Sequence, residues 1–134
     1  MKKIISNIPT ILVAEPEETI RVSIEMILIE EGYDCHAVSH PQSLLRAVEA
    51  YNSDLIIADV DILYDYIEEV LSLQSRSHNS EPPGFLVILS YEQVQDMLYL
   101  MQFGITEYLI KPFRFEEMTN RIRHMLGDHT QSHH

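Results

Sequence analysis

A single cysteine, Cys35, stands in the 134 residues, so an internal disulfide framework is excluded. A lone thiol suits a reducing compartment, and the expectation is a cytoplasmic chain. Basic residues are scarce: nine Lys and Arg face 21 Asp and Glu, a formal net charge of −12. The nine are scattered and form no stripe, so direct binding of nucleic acid is not expected. No apolar run nears the roughly 18–20 residues that span a bilayer, which argues against a membrane segment. The start, Met1 to Ser6, lacks the apolar stretch of a signal peptide. Repeats and low-complexity tracts are absent. His36, His40, His78 and His124 show no ligand spacing, which argues against a zinc site. Acidity then points to proteins or cations as partners, or simply to solubility.

What is there is alternation. Short apolar runs recur, each followed by a stretch with helical spacing. Ile11-Leu12-Val13-Ala14 is continuously apolar, as a strand covered on both faces is. Pro16, Glu17 and Glu18 form a helix start, with Ile20, Ile24, Ile27 and Leu28 behind them and Gly32 as the stop. Cys35 to Val38 predicts a second strand, and Pro41 a second helix with Leu44, Leu45 and Val48 inward. Leu55 to Ala58 is the clearest buried strand, ending at Asp59. The spacing of Ile67, Val70 and Leu71 predicts a third helix over 64–75, and the residues from Ser75 to Gly84 predict a loop. Phe85 to Leu89 predicts a fourth strand, ending at Ser90. Val94, Met97, Leu98 and Met101 stand at i, i+3, i+4 and i+7, which predicts a fourth helix with that stripe inward. Tyr99 and Leu100 then lie on its other side as a contact face. Gly104 closes it. Tyr108 to Ile110 predicts a fifth strand, and Met118, Ile122 and Met125 a last helix from about Arg114 to Leu126.

Five strands alternating with five helices predict a doubly wound α/β fold with a parallel sheet and helices on both faces. In such folds the ligand site lies beyond the carboxyl ends of the strands. Glu15, Asp59, Ser90 and Lys111 occupy those ends. Carboxylates there can hold a hard divalent cation such as Mg²⁺. A carboxylate can also accept a phosphoryl group, with an ammonium and a hydroxyl to bond the phosphoryl oxygens. No glycine lies in the first strand-to-helix turn, Ala14-Glu15-Pro16-Glu17, which argues against a flavin- or nucleotide-binding enzyme.

Four stretches, Ile11-Leu12-Val13-Ala14-Glu15, Asp54 to Asp59, Leu86 to Ser90, and Tyr108-Leu109-Ile110-Lys111-Pro112-Phe113, resemble the signature segments of bacterial response-regulator receiver domains. Their order and separations match that family from about residue 10 to residue 126. The resemblance implies a flavodoxin-like strand order 2-1-3-4-5 over a domain of residues 8–127, with 128–134 as a flexible tail or linker stub. It implies that Asp59 accepts phosphate from a histidine kinase or phosphotransfer protein. It implies a Mg²⁺ site of Glu15, Asp59 and the backbone carbonyl of Asp61, a switch pair of Ser90 and Tyr108, and a phosphate-binding Lys111. The Lys111–Pro112 bond would be cis. Helix four, strand five and helix five would form the output face and a homodimer surface. The domain would signal, with at most self-catalysed phosphoryl transfer and dephosphorylation.

The sequence departs from the family pattern. Pro16 stands where a second acid is usual, with Glu17, one position later, as a further candidate ligand. Tyr91 follows Ser90 where a small residue is usual, with a ring that would crowd the approach. Ile62-Leu63 and Ile67 replace a Met-Pro pair and a glycine. The alternative is therefore a receiver-like interaction module with weak or no phosphorylation. The chain stops just after the fifth helix without an output domain, as a stand-alone receiver or a piece of a longer regulator, and Met1 suggests a native beginning.

Overall fold

The computed structural model describes residues 8–76 and 81–127. The tail expected over 128–134, and His78, lie outside the described residues. Five strands form one parallel sheet: β1 (Thr10–Ala14), β2 (Asp34–Val38), β3 (Leu55–Asp59), β4 (Gly84–Leu89) and β5 (Glu107–Ile110), in the order β2-β1-β3-β4-β5. Between them run α1 (Glu18–Glu30), α2 (Pro41–Ala50), α3 (Val60–Leu63), α4 (Ile67–Gln74) and α5 (Met97–Leu100), with α6 (Phe115–Leu126) last. Short 3₁₀ segments extend three of them: Tyr64–Tyr66 between α3 and α4, and Tyr91–Asp96 and Met101–Phe103 around α5.

The apolar runs explain the layers. Side chains alternate between the two faces of a strand, and each face of this sheet has its own core. Leu12, Ala14, Ile56, Ala58, Val87 and Leu89 pack on one side with α2, α4 and α5. Ile11, Val13, Leu55, Ile57, Leu86 and Ile88 pack on the other with α1 and α6. Full burial of each Val, Leu or Ile among them stabilises by about 1.5–3 kcal/mol. Gly32 closes α1 with a φ of 96°, and the Gly32 and Tyr33 N–H groups cap the carbonyls of Ile29 and Leu28. Among the described residues no helix is long and apolar enough to cross a membrane.

Two sequence expectations are corrected. The third helical stretch begins at Val60, not Tyr64. Asp59 ends β3 in an extended conformation, and its carboxylate Oδ1 accepts the Asp61 N–H at 2.8 Å, so it caps the turn that follows.

The inward stripe of the fourth helical segment also differs. Leu98 is 71% exposed and Met101 44%, whereas Leu100 is fully buried. Val94, Met97, Leu100 and Phe103, every third residue, pack inward, and Tyr99, expected on the contact face, is also partly buried against the same core. The segment is largely 3₁₀, in which side chains three apart eclipse. A helical period of 3.6 therefore selected the wrong leucine. Leu100→Ala is expected to destabilise the fold by about 2–5 kcal/mol. Leu98→Ala should change it by no more than about 0.5 kcal/mol. Urea unfolding distinguishes the two, and equal costs would contradict the assignment.

Cys35 on β2 has its thiol pushed up from 9.0 to about 12, first by burial and then by Glu25 and Asp34. Near pH 9, iodoacetamide should leave the native thiol unmodified and react once urea unfolds the chain. Rapid alkylation of the native protein would refute that burial.

Candidate functional site

The register brings the strand ends together. Ala14 pairs with Ala58, so Glu15 and Asp59 emerge together; Asp59 lies beside Ile88, and Ser90 follows two residues later at the same edge of the sheet. Ile110 pairs with Leu89, which sets Lys111 beside Ser90 on the next strand. The Lys111–Pro112 peptide is cis, as expected.

Two carboxylates share one ammonium. Lys111 Nζ lies 2.7 Å from Asp59 Oδ2 and 3.2 Å from Glu15 Oε2. Glu15 is fully buried and Asp59 nearly so. Burial pushes the Glu15 carboxyl above its ordinary range and the nearby Asp59 charge adds to this; the Glu17 N–H, donating to Oε2 at 3.0 Å, and Lys111 oppose the rise without cancelling it. Burial also works to lower the Lys111 ammonium, but the hydrogen bond and charge of Asp59, then those of Glu15, hold it above its ordinary value.

Among the described residues one buried side-chain acceptor has no hydrogen-bond partner: Glu15 Oε1, beside the Asp59–Lys111 pair. An unpartnered buried carboxylate oxygen is costly, and a hard cation is a chemically suitable partner for it. The donor set is open. Among the described residues no three carboxylate, imidazole or thiol side chains gather closely enough to form a metal site by themselves. Pro16 contributes no side-chain ligand. Glu17 is exposed at the N-cap of α1 and enters the site through its backbone N–H. The Asp61 side chain is engaged elsewhere, its Oδ1 accepting from Gln93 Nε2 at 2.8 Å. These residues fit a cation such as Mg²⁺ that keeps several of its own waters, not one caged wholly by protein.

Ser90 and Tyr108 flank this set. The Ser90 N–H and hydroxyl both donate to Gln93 Oε1, at 2.9 and 3.2 Å. Tyr108 is half-buried on β5 against the core that holds Met97 and Leu100. Tyr91, which follows Ser90, is 76% exposed. Sequence reasoning missed two residues. Gln93 follows Ser90 by three positions, a spacing that marks a helix start and was available as a signal. Arg21 donates to the backbone carbonyls of Glu15 and Pro16 at 3.0 and 3.4 Å. Nothing in its spacing announces it, because its partners are main-chain atoms.

Replacing Lys111 with alanine removes the ammonium that both carboxylates share. Breaking such a pair is expected to cost about 3–5 kcal/mol at neutral pH. A carboxyl held up in the folded state favours folding below its own pKa and opposes it above. The deficit of Lys111→Ala should therefore shrink as pH falls and Glu15 takes a proton. Urea midpoints measured across acidic and neutral pH check this; a deficit independent of pH would contradict it.

Residues 11–123 match the response regulator receiver domain family. The chain is 32% identical over 116 residues to the transcriptional regulatory protein PcoR of Escherichia coli, covering 87% of this chain and 50% of that protein. It is 29% identical over 120 residues to the two-component response regulator PhoP of Pseudomonas aeruginosa, covering 87% of this chain and 51% of that protein. The chain thus spans about half the length of these relatives. Among solved structures, a CheY-like receiver domain protein from Methanospirillum hungatei superposes with a TM-score of 0.78 at 17% identity, covering 96% of this chain and all of that one. The receiver domain of a sensor histidine kinase from Pseudomonas aeruginosa superposes at 0.72 with 21% identity, covering 90% and 99%, and that protein carries a magnesium ion in its active-site cleft. With the 2-1-3-4-5 sheet and a family match over most of its length, this chain belongs to the response regulator receiver domains of two-component signalling.

Proposed function

We propose that residues 8–127 act as a phosphoacceptor unit in the cytoplasm, taking a phosphoryl group onto Asp59 from the phosphohistidine of a histidine kinase or phosphotransfer protein. The observation that carries this reading is the pairing of the buried Asp59 carboxylate with Lys111 at 2.7 Å, on the strand edge that also presents Glu15 and Ser90. An Asp59 oxygen forms the new bond to phosphorus as the bond to the donor nitrogen breaks. The departing imidazole keeps its electron pair. Lys111 then neutralises a phosphoryl oxygen, and the Ser90 hydroxyl donates to another.

Glu15, Asp59 and the Asp61 carbonyl would hold Mg²⁺. When bound, the ion offsets the charge of the incoming phosphoryl group. Movement of Ser90 toward that group, with Tyr108 following, would alter the face made by residues 91–103, β5 and α6. Leu98 and Met101 are already exposed on the 91–103 segment, which supports a contact role for that face, including self-association. The domain is a signal carrier whose only chemistry is its own phosphorylation and dephosphorylation.

The second reading, an interaction module independent of phosphate, draws on Pro16 in place of an acid and on the Asp61 side chain turned to Gln93. One experiment separates them. With Mg²⁺ and acetyl phosphate, the wild type should gain one phosphoryl group by intact mass, and Asp59→Asn should gain none. No gain in the wild type, together with partner binding unchanged in Asp59→Asn, would favour the second reading.

A further inference from the structure

Gln93 makes three hydrogen bonds through one carboxamide, and they join two strand ends. Its Oε1 accepts from the Ser90 N–H and the Ser90 hydroxyl, at 2.9 and 3.2 Å. Its Nε2 donates to Asp61 Oδ1 at 2.8 Å. The orientation of the amide is fixed by chemistry: a backbone N–H requires the oxygen, and a carboxylate requires the nitrogen. Asp61 in turn donates its own N–H to Asp59 Oδ1 at 2.8 Å. A continuous chain of hydrogen bonds therefore runs from Ser90 through Gln93 and Asp61 to Asp59.

The consequence lies in the Ser90 proton. A hydroxyl has one proton to donate. While Gln93 accepts it, Ser90 cannot give it to a group on Asp59. We propose that Gln93 is a latch: it holds the switch hydroxyl in the resting state and competes with the Asp59-bound phosphoryl group for the same proton. The inference rests on the phosphoacceptor reading of Asp59 and deepens it, because it names the residue that sets how readily the site switches. Gln93 is a positioning residue, acting through Ser90 and Asp61.

A capping role alone explains less. A residue three positions after a helix start can close the first turn by bonding back to the N-cap, and the Ser90 N–H bond fits that. Capping does not account for the bond to Asp61, 32 residues earlier in the helical turn that follows β3. It also predicts the opposite outcome on substitution: a lost cap weakens the folded site, whereas a lost latch frees the hydroxyl and strengthens adduct formation.

The test uses the whole chain with Mg²⁺ and beryllofluoride, a phosphoryl mimic, followed by ¹⁵N NMR of the Ser90 amide and the Gln93 side-chain amide. Gln93→Met keeps the length of the side chain and removes all three bonds. Its half-saturation should fall at a beryllofluoride concentration about twofold to tenfold lower than that of the wild type, the equivalent of one neutral hydrogen bond. In the wild type, the Gln93 side-chain amide resonances should move as the adduct forms. Equal or weaker adduct formation by Gln93→Met overturns the latch and leaves the Asp59 reading standing. An adduct in neither protein overturns the Asp59 reading, and the competition with it. Should Gln93→Met not fold, the wild type decides: Gln93 resonances unmoved by the adduct overturn the latch.

Discussion

Lys111 holds two buried carboxylates at once, and the geometry of the site depends on that ammonium. Glu15 and Asp59 emerge from neighbouring strands of a sheet covered on both faces, which strips them of most water. An isolated buried carboxylate is costly, and two side by side are worse. Lys111 answers both, at 3.2 and 2.7 Å, from the end of β5. The fifth strand thus does more than complete the sheet. It delivers the cation without which the edge would carry uncompensated charge. On the proposed reading the same charge balance bears on function: a phosphoryl group arriving at Asp59 would bring negative charge, and Lys111 lies in place to meet it.

Around this pair, other groups hold the surrounding turns in place. Arg21 grips the carbonyls of Glu15 and Pro16, so the turn after β1 keeps its shape although a proline stands where an acid is usual in the family. Asp59 caps the turn that follows it. That turn leads to Tyr64, whose ring packs at 4.7 Å on Tyr99, and Tyr99 packs in turn on Phe103. A change at Asp59 therefore has two physical routes to residues 91–103. One runs by hydrogen bonds through Asp61 and Gln93, the other by packed rings.

The sheet was legible in the sequence because its central strands are continuous apolar runs, and buried parallel strands read that way whatever their partners. The strand-end residues followed from the runs: once Ala14, Ala58, Leu89 and Ile110 are placed, Glu15, Asp59, Ser90 and Lys111 come with them. The segment around α5 was less legible. A period of three and a period of 3.6 diverge by less than one residue per turn, and Leu98, Leu100 and Met101 satisfy either until packing decides. The spacing of Gln93 after Ser90 signalled its cap, but Arg21 acts on backbone carbonyls and the other Gln93 bond reaches a side chain 32 residues away. Local spacing does not encode such contacts.

The central claim is that Asp59 is the carboxylate that receives the phosphoryl group. The most direct measurement is borohydride reduction of the chain after phosphorylation, followed by peptide mapping, since hydride converts an aspartyl phosphate to homoserine. Homoserine at position 59 and at no other acid is the result the account predicts. Homoserine elsewhere, or none in a chain shown to carry phosphate, would contradict it.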